Sequence, residues 1–252
     1  MRGRADQGGP GGGPVLILKM GSTLPSLKSR KGDFEDWIVR GLGLPGGQVS
    51  VFDVPRGGPL PSLDGHRAIV ITGSHTMVTE REAWSERAAG WLRDAVKNDF
   101  PVLGICYGHQ LLAHALGGEV GDNPKGREFG TVEVTLEEAA KDDPLMGDLP
   151  PRIKVHVGHT QSVLRLPPGA VRLASNHWDP NQAVRFGTSA WGVQFHPEFD
   201  AETVQEYITH YRAMLSAEGQ DPERLIANIN GEAFGPLLLR RFSGMARAGA
   251  RS

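Results

Sequence analysis

The sequence predicts an α/β domain built on a mostly parallel sheet with helices on both faces. Three observations carry that expectation. Short β-branched runs alternate with segments of helical period through the first half of the chain. Those runs are mainly apolar, as strands covered on both faces are. From residue 127 to about 195 the pattern changes to shorter alternating strands divided by Pro, Gly and Asp, which reads as an antiparallel extension of the same domain.

Taken in order, "PVLILKMG" (14–21) reads as a strand, "DFEDWIVRGLG" (33–43) as a helix closed by glycine, and "VSVFDV" (49–54) and "HRAIVITGS" (66–74) as strands. In "TEREAWSERAAGWLRDAVKND", Trp84, Ala88, Trp91, Leu92 and Ala95 recur at spacings of three and four, so this segment is a helix with one packing face, and Thr79 is its expected N-cap. "PVLGIC" is a strand and "YGHQLLAHALGG" a helix ending in a glycine pair. "REFGTVEVTL", "RIKVHVGH", "QAVRFG" and "AWGVQF" supply the extension. "DAETVQEYITHYRAMLSAEG", "DPERLIANI" and "EAFGPLLLRRF" are helical. No repeat or long linker interrupts the chain, which reads as one domain over 14–243 between a disordered tail (1–13) and a flexible one (244–252).

A length of 252 residues with 39% apolar and 22% charged residues is sufficient for a real core. The net charge of −2 gives no general attraction for nucleic acid or anionic membrane, so a small molecule or another protein is the expected partner. One cysteine excludes an internal disulfide and any CxxC zinc or redox pair, and suits a reducing cytoplasm. "VLIL" is too short for a signal-peptide core or a membrane span.

That cysteine, Cys106, ends a strand and is followed at once by a helix, with Gly104 and Gly108 on either side. A tight strand-to-helix turn needs glycine nearby and presents the central side chain, as at a nucleophile elbow. The helix N-terminus favours the thiolate, and the N–H of Tyr107 is placed to receive negative charge on a carbonyl oxygen. The competing reading of a lone cysteine is a small buried core thiol. A cysteine nucleophile in acyl transfer needs a base, usually a histidine held by a carboxylate or amide. Nine histidines compete, and local pattern selects His196: in "WGVQFHPEF" it ends an apolar strand, and an extended His-Pro-Glu keeps His196 and Glu198 on one side of the chain.

"GICYGHQLL" together with "GVQFHPEF" resembles the two signatures of class I glutamine amidotransferases, and the segments between are similar to the glutaminase domain of GMP synthase and its stand-alone relatives. The resemblance implies a flavodoxin-like fold with Cys106 as nucleophile, His196 as general base and acid, and Glu198 as the orienting carboxylate. It implies oxyanion donors at Gly73 and Tyr107, and a glutamine pocket drawn from Gly73, Ser74, Gln110, Thr160 and Gln161. "NPKGREFGTVEV" (123–134) also resembles a family segment. Two departures bear on substrate detail: Ser74-His75 stands where many relatives have Gly-Pro, and Gln161 replaces an acidic residue.

Other motifs yield to simpler readings. His156 and His159 in "HVGHT" lack a third metal ligand nearby, so no metal is expected. DJ-1-like proteins carry histidine directly after the cysteine, where this chain has Tyr107. "GGPGGGP" (8–14) lacks the Gly-Lys-Ser/Thr ending of a phosphate loop. The chemistry that the resemblance implies is hydrolysis of the glutamine γ-amide, for which no cofactor is expected. No Ser-Gly-Gly-x-Asp-Ser ATP-pyrophosphatase loop is present, nor room for a synthetase domain, so ammonia is expected to pass to a separate synthetase subunit. The alternatives are a γ-glutamyl hydrolase acting on γ-glutamyl peptides or amines, and a non-catalytic regulatory or partner-binding module.

Overall fold

The computed structural model describes residues 13–231 and 234–248, and the elements below are those of the described residues. They comprise β1 (Val15–Lys19), α1 (Pro25–Lys31), α2 (Phe34–Leu42), β2 (Val49–Asp53), β3 (Ala68–Ile71), α3 (Ala83–Lys97), β4 (Val102–Ile105) and α4 (Tyr107–Ala115) in the first half. The second half holds β5 (Glu119–Asp122), β6 (Glu128–Leu136), β7 (Arg152–His159), β8 (Gln161–Arg165), β9 (Val171–Ser175), β10 (Ala183–Phe186) and β11 (Ala190–Val193), then α5 (Ala201–His210), α6 (Arg212–Ala217), α7 (Pro222–Ala227) and α8 (Gly235–Ala248). The nine-stranded main sheet runs β2-β1-β3-β4-β11-β10-β9-β6-β7, while β5 and β8 pair in a separate ribbon.

The mixed architecture has the expected parallel part, but its boundary lies elsewhere. β11 pairs in parallel with β4 and antiparallel with β10, so "AWGVQF" belongs to the parallel half as much as to the extension. Strand alternation sorts the core. Val15 and Ile17 of β1 pack with α2 and α8 residues such as Ile38, Leu239 and Phe242, while Leu16 and Leu18 face Leu92 of α3 and Leu111 of α4. Trp84 and Trp91 are half-buried packing residues against that second cluster.

Local chemistry explains the helix ends. Asp33 caps α2, accepting from Phe34 N–H and forming a reciprocal capping box with Asp36, and Gly43 ends the helix in the left-handed region at φ 63°. Thr79 does not cap α3. It sits in a single 3₁₀ turn (Val78–Glu80), α3 starts behind Glu82, and the Thr79 hydroxyl turns to another partner in the site. The proposed tail from 244 is helical as far as Ala248, with Ala246 buried against the core, and residues 249–252 lie outside the described residues. The tail expected over 1–13 lies outside them too, apart from Gly13. Among the described residues no helix is long and apolar enough to cross a membrane.

Candidate active site

Three neighbouring parallel strands end at one place. β3, β4 and β11 run side by side, with Ile71 opposite Gly104 and Ile105 opposite Val193, so the residues that follow them emerge together. Those residues are Gly73, Cys106 and His196. Carboxyl ends of adjacent parallel strands are where such a sheet collects its chemistry.

Cys106 stands between β4 and α4 at φ 48°, ψ −99°, a left-handed conformation rare for a residue with a β-carbon. The flanking glycines serve another purpose. A β-carbon on Gly104 would lie 2.5 Å from the Gly108 carbonyl oxygen, and one on Gly108 would lie 2.7 Å from Ile71 Cβ. The glycines let α4 press against β4 and β3, and the cysteine takes the strained turn itself. Its N–H donates to the Val193 carbonyl at 2.8 Å, tying the elbow to β11. The first amides of α4, that of Tyr107 foremost, have no partner inside the helix and face the elbow. The Tyr107 side chain is buried and shares a 2.6 Å hydrogen bond with Ser85.

His196 Nδ1 lies 2.8 Å from Glu198 Oε1, and both side chains are buried. The segment is not extended as expected: Pro197 and Glu198 form a turn closed by the Phe199 N–H donating to the His196 carbonyl at 3.3 Å, and this turn brings the two side chains together. Burial alone would lower the His196 pKa. The Glu198 carboxylate and Cys106 beside it reverse that effect and push it up to about 10, so the ring carries a proton at neutral pH. The imidazole stacks on Phe199 at 4.0 Å between ring centroids, and the His196 N–H donates to the His156 carbonyl at 2.7 Å.

A pocket of about 200 Å³ opens over Cys106, and Ser74, Tyr107, Gln110, Thr160 and Gln161 are among its walls. Both amide hydrogens of Gln110 are committed, one to the Gln161 carbonyl at 2.7 Å and one to Gln194 Oε1 at 3.0 Å, leaving its own Oε1 for a ligand. The Gln161 amide nitrogen donates to Thr79 Oγ1 and Asp122 Oδ1 at 2.7 and 3.0 Å. Phe129, Tyr207, Tyr211 and Met214 also line it, together with the charged Arg127. His75, two residues after Gly73, reaches the Tyr207 hydroxyl at 3.2 Å.

Of the site residues singled out in the sequence, Ser74, Cys106, Tyr107, Gln110, Thr160 and Gln161 line this pocket, whereas Gly73 and His196 pack beside Cys106 without lining it and Glu198 lies behind His196, on a separate cleft. His156 and His159 are not directed at a shared ligand: His156 meets Thr131 Oγ1 at 3.1 Å, whereas His159 Nε2 meets Glu128 Oε2 at 2.9 Å. Burial lowers the His159 pKa, but the Glu128 hydrogen bond and charge raise it overall. Sequence reasoning missed Gln194, whose Nε2 lies 3.5 Å from Cys106 Sγ. The available signal was a polar residue inside the apolar strand ending "WGVQF". It also missed the Glu128–His159 pair, which joins β6 to the end of β7 and has no local sequence signature.

The family model described as glutamine amidotransferase class-I matches residues 32–212. The chain is 31% identical over 185 residues to a glutamine-hydrolyzing GMP synthase of Christiangramia forsetii, covering 73% of this chain and 32% of that protein. It is 37% identical over 150 residues to the corresponding protein of Aeropyrum pernix, covering 57% of this chain and 28% of the other. One subunit of the glutamine-hydrolyzing GMP synthase of Haloarcula marismortui is 43% identical over 101 residues, which is 40% of this chain and 52% of that one. The chain therefore spans about a third or less of the two longer relatives and about half of the third. A glutamine amidotransferase structure from Thermotoga maritima superposes with a TM-score of 0.71 at 22% identity, covering 95% of this chain and 99% of that one. One from Methylobacillus flagellatus superposes with a TM-score of 0.66 at 23% identity, covering 93% and 92%.

Proposed function

Because the chain belongs to the class I glutamine amidotransferase family, we propose that it hydrolyses the glutamine γ-amide through Cys106, His196 and Glu198 and passes the ammonia to a separate acceptor subunit. The observation that carries this reading is the buried 2.8 Å His196–Glu198 pair at the end of the strand adjoining the Cys106 elbow. Cysteine, base and orienting acid stand in the order that nucleophilic acyl transfer needs.

The Cys106 thiolate attacks the γ-carbonyl carbon and forms a C–S bond. The N–H groups of Gly73 and Tyr107 hold the resulting oxyanion. Protonated His196 gives its proton to the departing nitrogen, the C–N bond breaks, and ammonia leaves a γ-glutamyl thioester. Neutral His196 then takes a proton from water as the water oxygen attacks the thioester, and C–S cleavage yields glutamate and restores the thiolate. Gln110 Oε1, Ser74, Thr160 and Gln161 hold the amino-acid end of the substrate. A reducing cytoplasm suits a mechanism that depends on a free thiol. The Haloarcula marismortui relative, named as one subunit of a GMP synthase, supports an acceptor on another chain.

One observation favours a second reading. The pocket extends beyond Cys106 to Arg127, Phe129, Tyr207, Tyr211 and Met214, room for a leaving group larger than ammonia, as in a γ-glutamyl peptide or amine hydrolase. A constellation of nucleophile, base and acid argues against the non-catalytic alternative. The deciding experiment measures ammonia and glutamate release from glutamine against a panel of γ-glutamyl peptides and amines, before and after adding candidate synthetase subunits. Slow glutamine turnover that accelerates when a synthetase partner is added supports the amidotransferase. Fast turnover of γ-glutamyl peptides alone moves the assignment to the hydrolase, and no turnover of any of these compounds overturns both.

A further inference from the structure

We infer that Gln194 fixes the Cys106 sulfur through an N–H···S hydrogen bond, and that it is the end of a buried polar chain running through Gln110 and His159 to Glu128. The inference rests on Cys106 being the nucleophile.

The direction of every bond in the chain is determined by chemistry. Glu128 is a buried carboxylate whose oxygens face three nitrogens: His159 Nε2 at 2.9 Å, Gln182 Nε2 at 2.7 Å and Asn176 Nδ2 at 2.6 Å. An ionised carboxylate only accepts, so His159 donates at Nε2. Its other nitrogen, Nδ1, lies 3.0 Å from the Gln161 carbonyl oxygen, which also only accepts. His159 donates from both nitrogens and is an imidazolium, in agreement with its raised pKa. The same carbonyl receives one hydrogen of the Gln110 amide. The other goes to Gln194 Oε1, so the Gln194 amide can stand only one way round. Its nitrogen then faces Cys106 Sγ at 3.5 Å.

Gln194 is fully buried, and its backbone N–H is bonded to the Gln182 carbonyl at 2.9 Å, so the side chain has no solvent to turn towards. A donor held against the sulfur favours the thiolate over the thiol and limits the positions the sulfur occupies. Gln194 touches the reacting atom, whereas Gln110, His159 and Glu128 act as positioning residues through it. Gln110 links two tasks: its N–H groups fix Gln194 while its Oε1 is left for substrate. The titratable groups electrostatically coupled to the sulfur are His196, His159 and Tyr207, and substitution of Gln194 removes none of them.

The test is iodoacetamide labelling of Cys106 as a function of pH, with glutamine kinetics on the same preparations. In Gln194→Leu the pH of half-maximal labelling moves up, and labelling at pH 7 slows by about tenfold to a hundredfold, as loss of a hydrogen bond to a charged group implies. The kcat falls by a similar factor while KM changes by less than about threefold. A residue that only filled space would lower thermal stability and leave the labelling profile where it was, and that result overturns the inference. If Gln194→Leu does not fold, Gln194→Glu decides. This isosteric variant still accepts from Gln110 but presents an acceptor to the sulfur, so its labelling falls far below native at neutral pH and recovers relative to native in acid, where a protonated carboxyl can donate. A constant ratio across pH refutes the inference. Failure of the native protein to label at any pH removes the nucleophile assignment itself.

Discussion

Gly73 and His196 stand so close that a β-carbon on Gly73 would lie 3.0 Å from His196 Cε1 and 3.9 Å from Cys106 Cβ. Gly73 does not need glycine for its backbone angles, since it is absent from the positive-φ positions. The requirement is space beside the imidazole, on the side of the site where its own N–H is read as an oxyanion donor.

Gly73→Ala is therefore expected to fold normally and to work poorly. The methyl group pushes the His196 ring by a few tenths of an ångström, and misplacement on this scale costs roughly tenfold or more in rate. Stability should change by no more than about 1 kcal/mol, because the flexible element is one ring edge. Steady-state kinetics with thermal melting checks this; full kcat in the alanine variant would show that the ring has slack and that the contact is unimportant.

The strained elbow predicts a reversal of the usual order of substitution. Alanine normally exceeds glycine in stability by about 0.5–1 kcal/mol. At the φ 48°, ψ −99° of Cys106 a β-carbon is strained by about 1–3 kcal/mol, which glycine avoids. Cys106→Gly should melt above Cys106→Ala, and both should be inactive. Cys106→Ser should be inactive too, and a glutamine-analogue alkylator should add one label per native chain. A glycine variant melting below the alanine one would mean that the elbow is not strained.

Sequence made most of the parallel half legible because β1, β3 and β4 carry their own apolar runs and α2, α3 and α4 their own period. The elbow and His-Pro-Glu were legible for the same reason: glycines two residues either side of a lone cysteine, and a histidine and glutamate at period two, are local patterns. What stayed hidden depends on distant partners. Nothing near Thr79 says that its hydroxyl will meet Gln161 at 2.7 Å rather than cap α3, since the two are brought together only when β8 pairs with β5 beside α4. α1, β5, β8 and β9 were not anticipated for a related reason. "EVGD" and "VRLAS" are short and half-exposed, and acquire strand geometry only from their neighbours. Gln194 looked like one polar interruption of a strand because its meaning lies in Gln110 and Cys106.

The Glu128–His159 pair should be more sensitive to losing one partner than its distance from the sulfur suggests. Glu128→Leu leaves an imidazolium buried without its carboxylate, which typically costs about 3–5 kcal/mol. Glu128→Gln keeps an acceptor and should cost less. The sign of the pH effect follows from the direction of the shift. The folded pKa of His159 is raised, so the pair's stabilisation is complete below the unfolded value near 6.5 and is lost as pH rises through the raised one. Denaturant melts of native and Glu128→Leu proteins should then converge as pH increases. A gap that is constant, or that widens with pH, would show that His159 is not the cation.

His196 and Glu198 give the last and sharpest case. His196 rises from 6.5 in the unfolded chain to about 10 in the fold, against the opposing effect of burial, because Glu198 and Cys106 favour its charged form. Its contribution to stability is whole below pH 6.5 and declines as pH rises towards 10. Glu198→Gln removes the main attraction, so the variant's stability should fall less over that interval, while the His159 pair, present in both proteins, cancels in the comparison. Activity should separate the two residues. His196→Ala loses both proton transfers and should be nearly dead, several powers of ten below native. In Glu198→Gln the amide oxygen can still accept from Nδ1, and the amide nitrogen replaces Oε2, which is buried with no hydrogen-bond partner among the described residues. Orientation is largely kept and charge is lost, so this variant should retain about 10- to 100-fold more activity than His196→Ala. Equal loss in the two would give the carboxylate a role beyond orienting the ring, and substantial activity in His196→Ala would transfer the base to another histidine.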